Sequence, residues 1–174
     1  MKPAEVTVEW LQAQTFDVRR ADPPAIDGVL LRHLSPIIDG RGEVTELWSE
    51  PWTEDGFVRG AHLYQSGTDH GVVKCWHLHD EHVDQFMVTR GKLQVCLVDL
   101  REGSSTYLVA TPLIIGIQNP ALVKIPPGIM HGWKALSAPE VIVYNFQSHV
   151  YDAADEWKFP WDCVLEDLWE PRNG

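Results

Sequence analysis

The chain has 174 residues, 44% of them hydrophobic, which is enough for one well-buried core and short for two. Its formal charge of −11 and pI near 5.0 oppose binding to nucleic-acid phosphates or anionic lipid, since an acidic surface gains nothing from counterion release at either, although a small nucleotide in a local basic pocket stays compatible. Three cysteines, Cys75, Cys96 and Cys163, lack a C-x-x-C spacing, which argues against a disulfide framework or zinc knuckle and for a reducing compartment.

The opening "MKPAEVTVEWLQAQTF" has no basic region followed by an apolar core, so no secretory signal is evident and a cytoplasmic location is expected. Through residue 40, "ADPPAIDG" and "SPIIDGRG" punctuate short apolar runs with Pro and Gly, predicting strand and turn rather than helix. "GEVTELWSEPW" alternates as a half-buried strand would. From residue 57 onward, β-rich runs recur at nearly regular intervals: "FVRGAHLYQ", "GVVKCWHLH", "DQFMVTRG", "KLQVCLVDLR", "TYLVATPL", "ALVKIP", "GWKALS" and "EVIVYNFQ". That is the pattern of an all-β sandwich or barrel. The most apolar stretch, "YLVATPLIIGIQNPALVKIPPGIM", is broken by Pro112, Gln118, Asn119 and Pro120 well below spanning length. The C-terminal "AADEWKFPWDCVLEDLWEPRNG" has room for a short helix or two, limited by Pro160 and Pro171. A single domain over 1–174 is expected, with N-terminal strands and turns (1–56), a barrel (57–150) and a C-terminal segment (151–174).

The segment "GVVKCWHLHDEHVDQFMVTRG" concentrates ionisable residues between two strands. Residues two apart on a strand share a face, so His77 and His79 point inward if Trp76 and Leu78 point outward. Asp84 opens the next strand, where an antiparallel neighbour can set its carboxylate beside the imidazoles. Cys75 faces opposite to Trp76, toward the pocket, where a buried, inert thiol is the expected state. Asp80, Glu81 and His82 read as solvated turn residues. Far along the chain, "KIPPGIMHGW" fixes a turn with Pro126 and Gly128 ahead of His131.

These spacings resemble the two signature motifs of the cupin superfamily. Gly71, His77, His79, Asp84 and Gly91 occupy the slots of the first motif, with Asp where Glu is usual, and Pro126, Gly128 and His131 those of the second, P-x-G-x-x-H. The resemblance implies a double-stranded β-helix, or jelly-roll barrel, holding a divalent metal on His77, His79, Asp84 and His131. Such ligands suit Fe, Mn, Ni, Co or Zn without choosing among them.

A longer resemblance, over roughly residues 38 to 162, is to the dTDP-4-dehydrorhamnose 3,5-epimerases. "DGRGEVTELW", "GVVKCWHLH", "VDLREGSSTY", "IPPGIMHGWKALS" and "EVIVYNFQSHVYDAADE" carry it, in order and spacing. It implies a nucleotide-sugar epimerase or isomerase, acting on a dTDP-4-keto-6-deoxyhexose, in a homodimer. His77 would take a proton from the carbon beside the 4-keto group, Tyr144 would return one from the opposite face, and Lys74 would meet the diphosphate. The family's aspartate that orients this histidine is expected beyond Trp161 and Asp162, and no counterpart is found there.

The two resemblances give His77 incompatible tasks, since an imidazole that donates its lone pair to a metal cannot accept a proton. His79 in place of the family's Gln, and Asp84 near its Lys, are changes that would turn an epimerase pocket into a metal site. A metal-dependent cupin of other chemistry, such as an Fe(II) dioxygenase or small-molecule isomerase, and a non-catalytic sugar-binding module are the alternatives.

Overall fold

The computed structural model describes residues 2–21 and 23–170. A short helix, α1 (Val8–Gln12), lies in the N-terminal segment, where the sequence predicts only strand and turn. Thr7 Oγ1 caps it by accepting from Trp10 N at 3.1 Å, and Leu11 anchors it by complete burial. Then come β1 (Asp17–Val18), β2 (Leu30–His33) and the hairpin β3 (Ile37–Asp39) and β4 (Gly42–Val44). The predicted strand over "GEVTELWSEPW" is thus only three residues long, and it is exposed, because β4 pairs with β3 alone. After it, a 3-10 turn (Glu50–Asp55) turns Trp52 inward.

The β-rich runs form the strands expected of them: β5 (His62–Asp69), β6 (Val73–Leu78), β7 (Asp84–Arg90), β8 (Lys92–Asp99), β9 (Val109–Gly116), β10 (Ala121–Ile125), β11 (Ile129–Ala135) and β12 (Glu140–Gln147). The C-terminal segment holds 3-10 turns and β13 (Trp157–Lys158) instead of an α-helix. Its backbone pairs elsewhere: Trp76 N donates to Phe159 O at 2.7 Å, and Phe159 N to Trp76 O at 3.0 Å.

Two sheets face each other, one ordered β1-β9-β8-β11-β6-β13 and the other β2-β10-β7-β12-β5. This is the jelly-roll barrel the sequence predicts. Between the sheets lies a core that includes Phe86, Val95, Leu97, Ile115, Val123, Ile129, Val141 and Val143. The outer face of the six-stranded sheet, with Trp76, Leu78, Val98 and Met130, is covered by Val6 and Leu11 from the N-terminal segment and by Phe159, Val164, Leu168 and Trp169 from the C-terminal one. Met87 and Leu122 on the outer face of the other sheet are covered by Leu34, Trp52 and Phe57. With the outer face of each sheet covered by side chains of the same chain, a cluster of buried polar groups gathers at the mouth near β6 and β12. No helix among the described residues is long and apolar enough to cross a membrane.

The β8–β9 connection is held by one carboxylate. Asp99 is fully buried and accepts from Arg101 N (3.0 Å) and Nε (2.9 Å), Ser104 Oγ (2.6 Å) and Thr106 Oγ1 (2.7 Å). Burial alone would raise its pKa, but Arg101, Ser104 and Thr106 outweigh burial and hold it below the usual carboxylate range. A pKa lowered by folding contributes stability above the unfolded value near about 3.9, and that contribution fades as pH falls through the folded value. Asp99→Asn is therefore expected to cost about 3 kcal/mol at pH 7, and less at pH 3. Urea unfolding at both pH values checks this; an equal loss at both would show that the charge is not the source.

Candidate active site

Backbone pairing brings the two histidine motifs together. His131 on β11 sits directly opposite His77 on β6, and Gly128 N donates to His79 O at 2.8 Å. Gly128 has φ +78°, and a Cβ there would lie 2.5 Å from Arg101 Cγ, so the turn before β11 requires glycine. From Trp76 to His79 the alternation holds as predicted: Trp76 and Leu78 join the outer cluster, while His77 and, just past the strand, His79 line a cavity of about 290 Å³; Cys75, expected to face the pocket, packs on the outer cluster instead. Asp84, Asn145 and Gln147 from the opposite sheet line it too, with Tyr64, Trp133 and Glu156.

His77 is held by a carboxylate. Its Nδ1 lies 3.1 Å from Glu156 Oε1, and the antiparallel pairing of Lys158 with His77 is what seats Glu156 there. The other oxygen, Oε2, meets Lys158 Nζ at 2.9 Å and accepts from the Tyr151 hydroxyl at 3.3 Å. Burial would raise Glu156, but Lys158 and His77 outweigh it and keep it below its ordinary value, so it is ionised. A carboxylate only accepts, so Nδ1 of His77 carries the proton and Nε2 carries the lone pair. Burial lowers the His77 pKa to about 4, with His131 adding to the effect and Glu156 opposing it. The imidazole is accordingly neutral at pH 7 and able to accept a proton. Trp133 stacks on its ring at 6.4 Å with the planes 13° apart, and Trp133 Nε1 donates to Thr68 Oγ1 at 3.1 Å.

Behind His77 is a second constellation. His79 Nδ1 lies 2.6 Å from Asp155 O, and His131 Nδ1 lies 3.1 Å from Ile129 O. A carbonyl only accepts, so in both rings Nδ1 carries a proton and Nε2 is the nitrogen turned inward. Both Nε2 atoms face Asp84 Oδ2, at 3.5 and 3.3 Å, while Asn145 and Gln147 amides donate to Asp84 Oδ1 at 2.7 and 2.9 Å. Burial would raise Asp84, yet His131, His79 and Asn145 hold it below its usual range; burial lowers His79. Three atoms able to act as ligands thus converge, one from each residue. Donors about 2.1 Å from a tetrahedral ion lie about 3.4 Å apart, close to the spacing found. Ring nitrogens bonded outward to carbonyls are also what orients imidazole ligands of metals.

The expected cluster of four is corrected to three: His79, Asp84 and His131 converge, and His77 stands outside with its Nδ1 on Glu156. His79, His82 and Asp155 also come together, but both ring nitrogens of His82 face acceptors, the Asp155 carboxylate and Val150 O. That makes His82 an imidazolium, not a ligand; Asp155 and Val150 raise its pKa against the opposing effect of burial. His82 is 4% exposed, not solvated, because Asp155 also accepts from the backbone of Asp80 (2.7 Å), Glu81 (3.1 Å) and His82 (2.9 Å).

Tyr144 is corrected as well. On β12, Val141, Val143, Asn145 and Gln147 point between the sheets, so Tyr144 points out, packed with Trp52, Phe57 and Met87. Lys74 is turned to β5, donating to Ser66 Oγ (3.0 Å) and Gly67 O (2.7 Å), and does not line the cavity. Cys75 packs against Gly132, where a Cβ would come within 2.2 Å of its sulfur, and burial pushes its thiol up. Glu156, Asp155, Asn145, Gln147 and Tyr64 were not singled out from sequence. The alternation of "EVIVYNFQ" is signal enough for the amides; the two carboxylates lie where a 3-10 turn runs into a two-residue strand, both too short to register.

A barrel of this topology with an oriented histidine at its mouth defines a cupin-type fold. The profile of the family described as dTDP-4-dehydrorhamnose 3,5-epimerase matches residues 23–169, and the chain belongs to that family. It is 32% identical over 142 residues to the Haloferax volcanii protein named Probable low-salt glycan biosynthesis epimerase Agl13, covering 80% of this chain and 90% of that one. It is 33% identical over 139 residues to the spore coat polysaccharide biosynthesis protein SpsL of Bacillus subtilis, covering 79% and 91%. Among solved structures, NovW, a 4-keto-6-deoxy sugar epimerase from Streptomyces spheroides, superimposes with a TM-score of 0.74 at 26% identity, over 86% of this chain and 80% of that one.

Proposed function

We propose that this chain epimerises a dTDP-4-keto-6-deoxyhexose by moving a proton at the carbon beside the keto group. The observation that carries the reading is the His77–Glu156 pair at the cavity, in a chain of the epimerase family. The keto group acidifies the neighbouring C–H. His77 Nε2, holding the lone pair, takes that proton, and ionised Glu156 stabilises the imidazolium that forms, as a buried carboxylate does behind a catalytic histidine. A cavity of about 290 Å³ is at the small end of ligand pockets. That size supports a sugar ring inside it and the nucleotide across its mouth.

We also propose that His79, Asp84 and His131 hold one divalent cation of the Fe, Mn, Ni, Co or Zn group. When bound, such an ion supplies Lewis acidity toward a substrate carbonyl. Around it, Asn145 and Gln147 hold Asp84, and Asp155 holds His79. A homodimer is proposed from the β3–β4 hairpin, where Ile37, Ile38 and Val44 are at least 70% exposed and have no covering layer. Apolar surface of this kind marks an interface, and a second copy is the partner a family of closed oligomers offers. The three free thiols support a reducing, cytoplasmic setting.

Glu156→Gln keeps the shape but lets an amide N–H face Nδ1, favouring the tautomer with the lone pair on the wrong nitrogen. It is expected to lower kcat about 100-fold or more with KM little changed, measured with the dTDP-4-keto sugar. Elemental analysis of untagged protein is expected to find about one metal per chain, lost in His79→Ala and Asp84→Ala and kept in His77→Ala; loss in all three would return His77 to the ligand set. Ile38→Lys is expected to convert a dimer to monomers by light scattering, and an unchanged mass would place any interface elsewhere.

A further inference from the structure

Epimerisation needs a second group, on the face of the sugar opposite His77, and the expected Tyr144 is turned away from the cavity. The chain has four tyrosines, Tyr64, Tyr107, Tyr144 and Tyr151. Tyr107 lies in the β8–β9 connection and does not line the cavity. Tyr151 lines it, but its hydroxyl donates to Glu156 Oε2, so it belongs to the His77 side.

Tyr64 is different. On β5 the exposed residues are Leu63, Gln65, Gly67 and Asp69, and the alternate set His62, Tyr64, Ser66 and Thr68 points inward. Tyr64 therefore enters the cavity from the five-stranded sheet, while His77 enters from the six-stranded one. Its register partner is Asn145, whose amide is fixed at both ends. Asn145 Oδ1 accepts from Gln85 N at 3.1 Å, and Nδ2 donates both to Asp84 Oδ1 at 2.7 Å and to the Tyr64 hydroxyl at 2.9 Å. The phenol oxygen is thus an acceptor toward the protein wall, which leaves its own proton for the cavity. Burial raises the phenol to about 12, against the Asn145 hydrogen bond, so the proton is present at neutral pH. A phenol of that strength still protonates an enolate carbon downhill.

We propose that Tyr64 is the catalytic acid facing His77. This rests on the epimerase reading above. His77 Nε2 removes the C–H proton; the C–H electron pair becomes the C=C bond of an enolate, and the carbonyl π pair moves to oxygen. The enolate carbon then takes the Tyr64 proton from the other face, and the oxygen pair returns to re-form the ketone. Tyrosinate regains a proton from water at the mouth, and His77 gives its proton up to water, so nothing is consumed and one stereocentre is inverted.

The test is Tyr64→Phe in the full chain, with a dTDP-4-keto-6-deoxyhexose in D2O followed by proton NMR. Without the acid, His77 still removes the proton and returns a deuteron on the same face. Deuterium wash-in to recovered substrate is expected within about 10-fold of the wild-type rate, and epimer formation is expected to fall about 100-fold. Tyr144→Phe, on the outer face, is expected to match the wild type. Unchanged epimer formation in Tyr64→Phe overturns the proposal. So does an equal loss of wash-in and epimerisation in a variant with a wild-type melting curve, which would make Tyr64 a binding group. Wild-type protein that exchanges no hydrogen at all overturns the epimerase reading and this assignment with it, an outcome distinct from the other two.

Discussion

The site depends on the antiparallel pairing of β13 with the outer edge of β6. Two residues of strand suffice, because Trp76 and Phe159 exchange backbone hydrogen bonds in both directions and Trp157 and Lys158 lie opposite Leu78 and His77. Just ahead of that pairing are two adjacent carboxylates with different tasks. Asp155 closes the turn after β6 by accepting from three backbone amides and His82, and its carbonyl fixes the tautomer of His79. Glu156 fixes the tautomer of His77. Asp155 ends a 3-10 turn and uses its backbone carbonyl, and Glu156 follows in extended backbone and uses its side chain, so one short segment reaches both histidines.

This division separates tasks that the sequence alone sets in conflict. His77 and His79 are two residues apart and share a face, yet Glu156 holds one as a neutral ring with its lone pair toward the cavity, and the Asp155 carbonyl aims the other at Asp84. An oriented imidazole and a separate His–Asp–His cluster therefore lie side by side without sharing a residue. Burial makes both possible: it keeps the imidazoles uncharged, and it makes the ionised Asp84 depend on the amides of Asn145 and Gln147.

Much of the barrel was legible because short β-rich runs separated by turn signals announce strands, and β5 and β12 add the period-two alternation of half-buried ones. The convergence of His79, Asp84 and His131 was legible for a related reason: motif spacing fixes which strand faces meet. Tyr144 shows the limit of aligning to a family block. The block gave a tyrosine, but "EVIVYNFQ" puts Tyr144 on the side opposite Asn145, and a register irregularity between Ile142 and Val143 shifts the pairing with β7. A one-residue shift exchanges the two faces of a strand. The carboxylate behind His77, expected beyond Trp161, is Glu156, which lies before it, between a 3-10 turn and a two-residue strand that leave no periodic trace. The Asp155 clamp on His82 was invisible because it joins residues 73 apart through a turn.

The late position of β13 in the chain bears on how preparations of this protein should be judged. His77 and Glu156 are 79 residues apart, and contacts that close so large a loop tend to form after local ones. The strands that build the central core run only to Gln147. A backbone nick between residues 148 and 156 would leave those strands, and their circular dichroism, largely as they are while freeing both carboxylates from their histidines. Such material would pass a folding check and contribute no turnover, so active-site titration rather than protein concentration is the proper denominator for its rates.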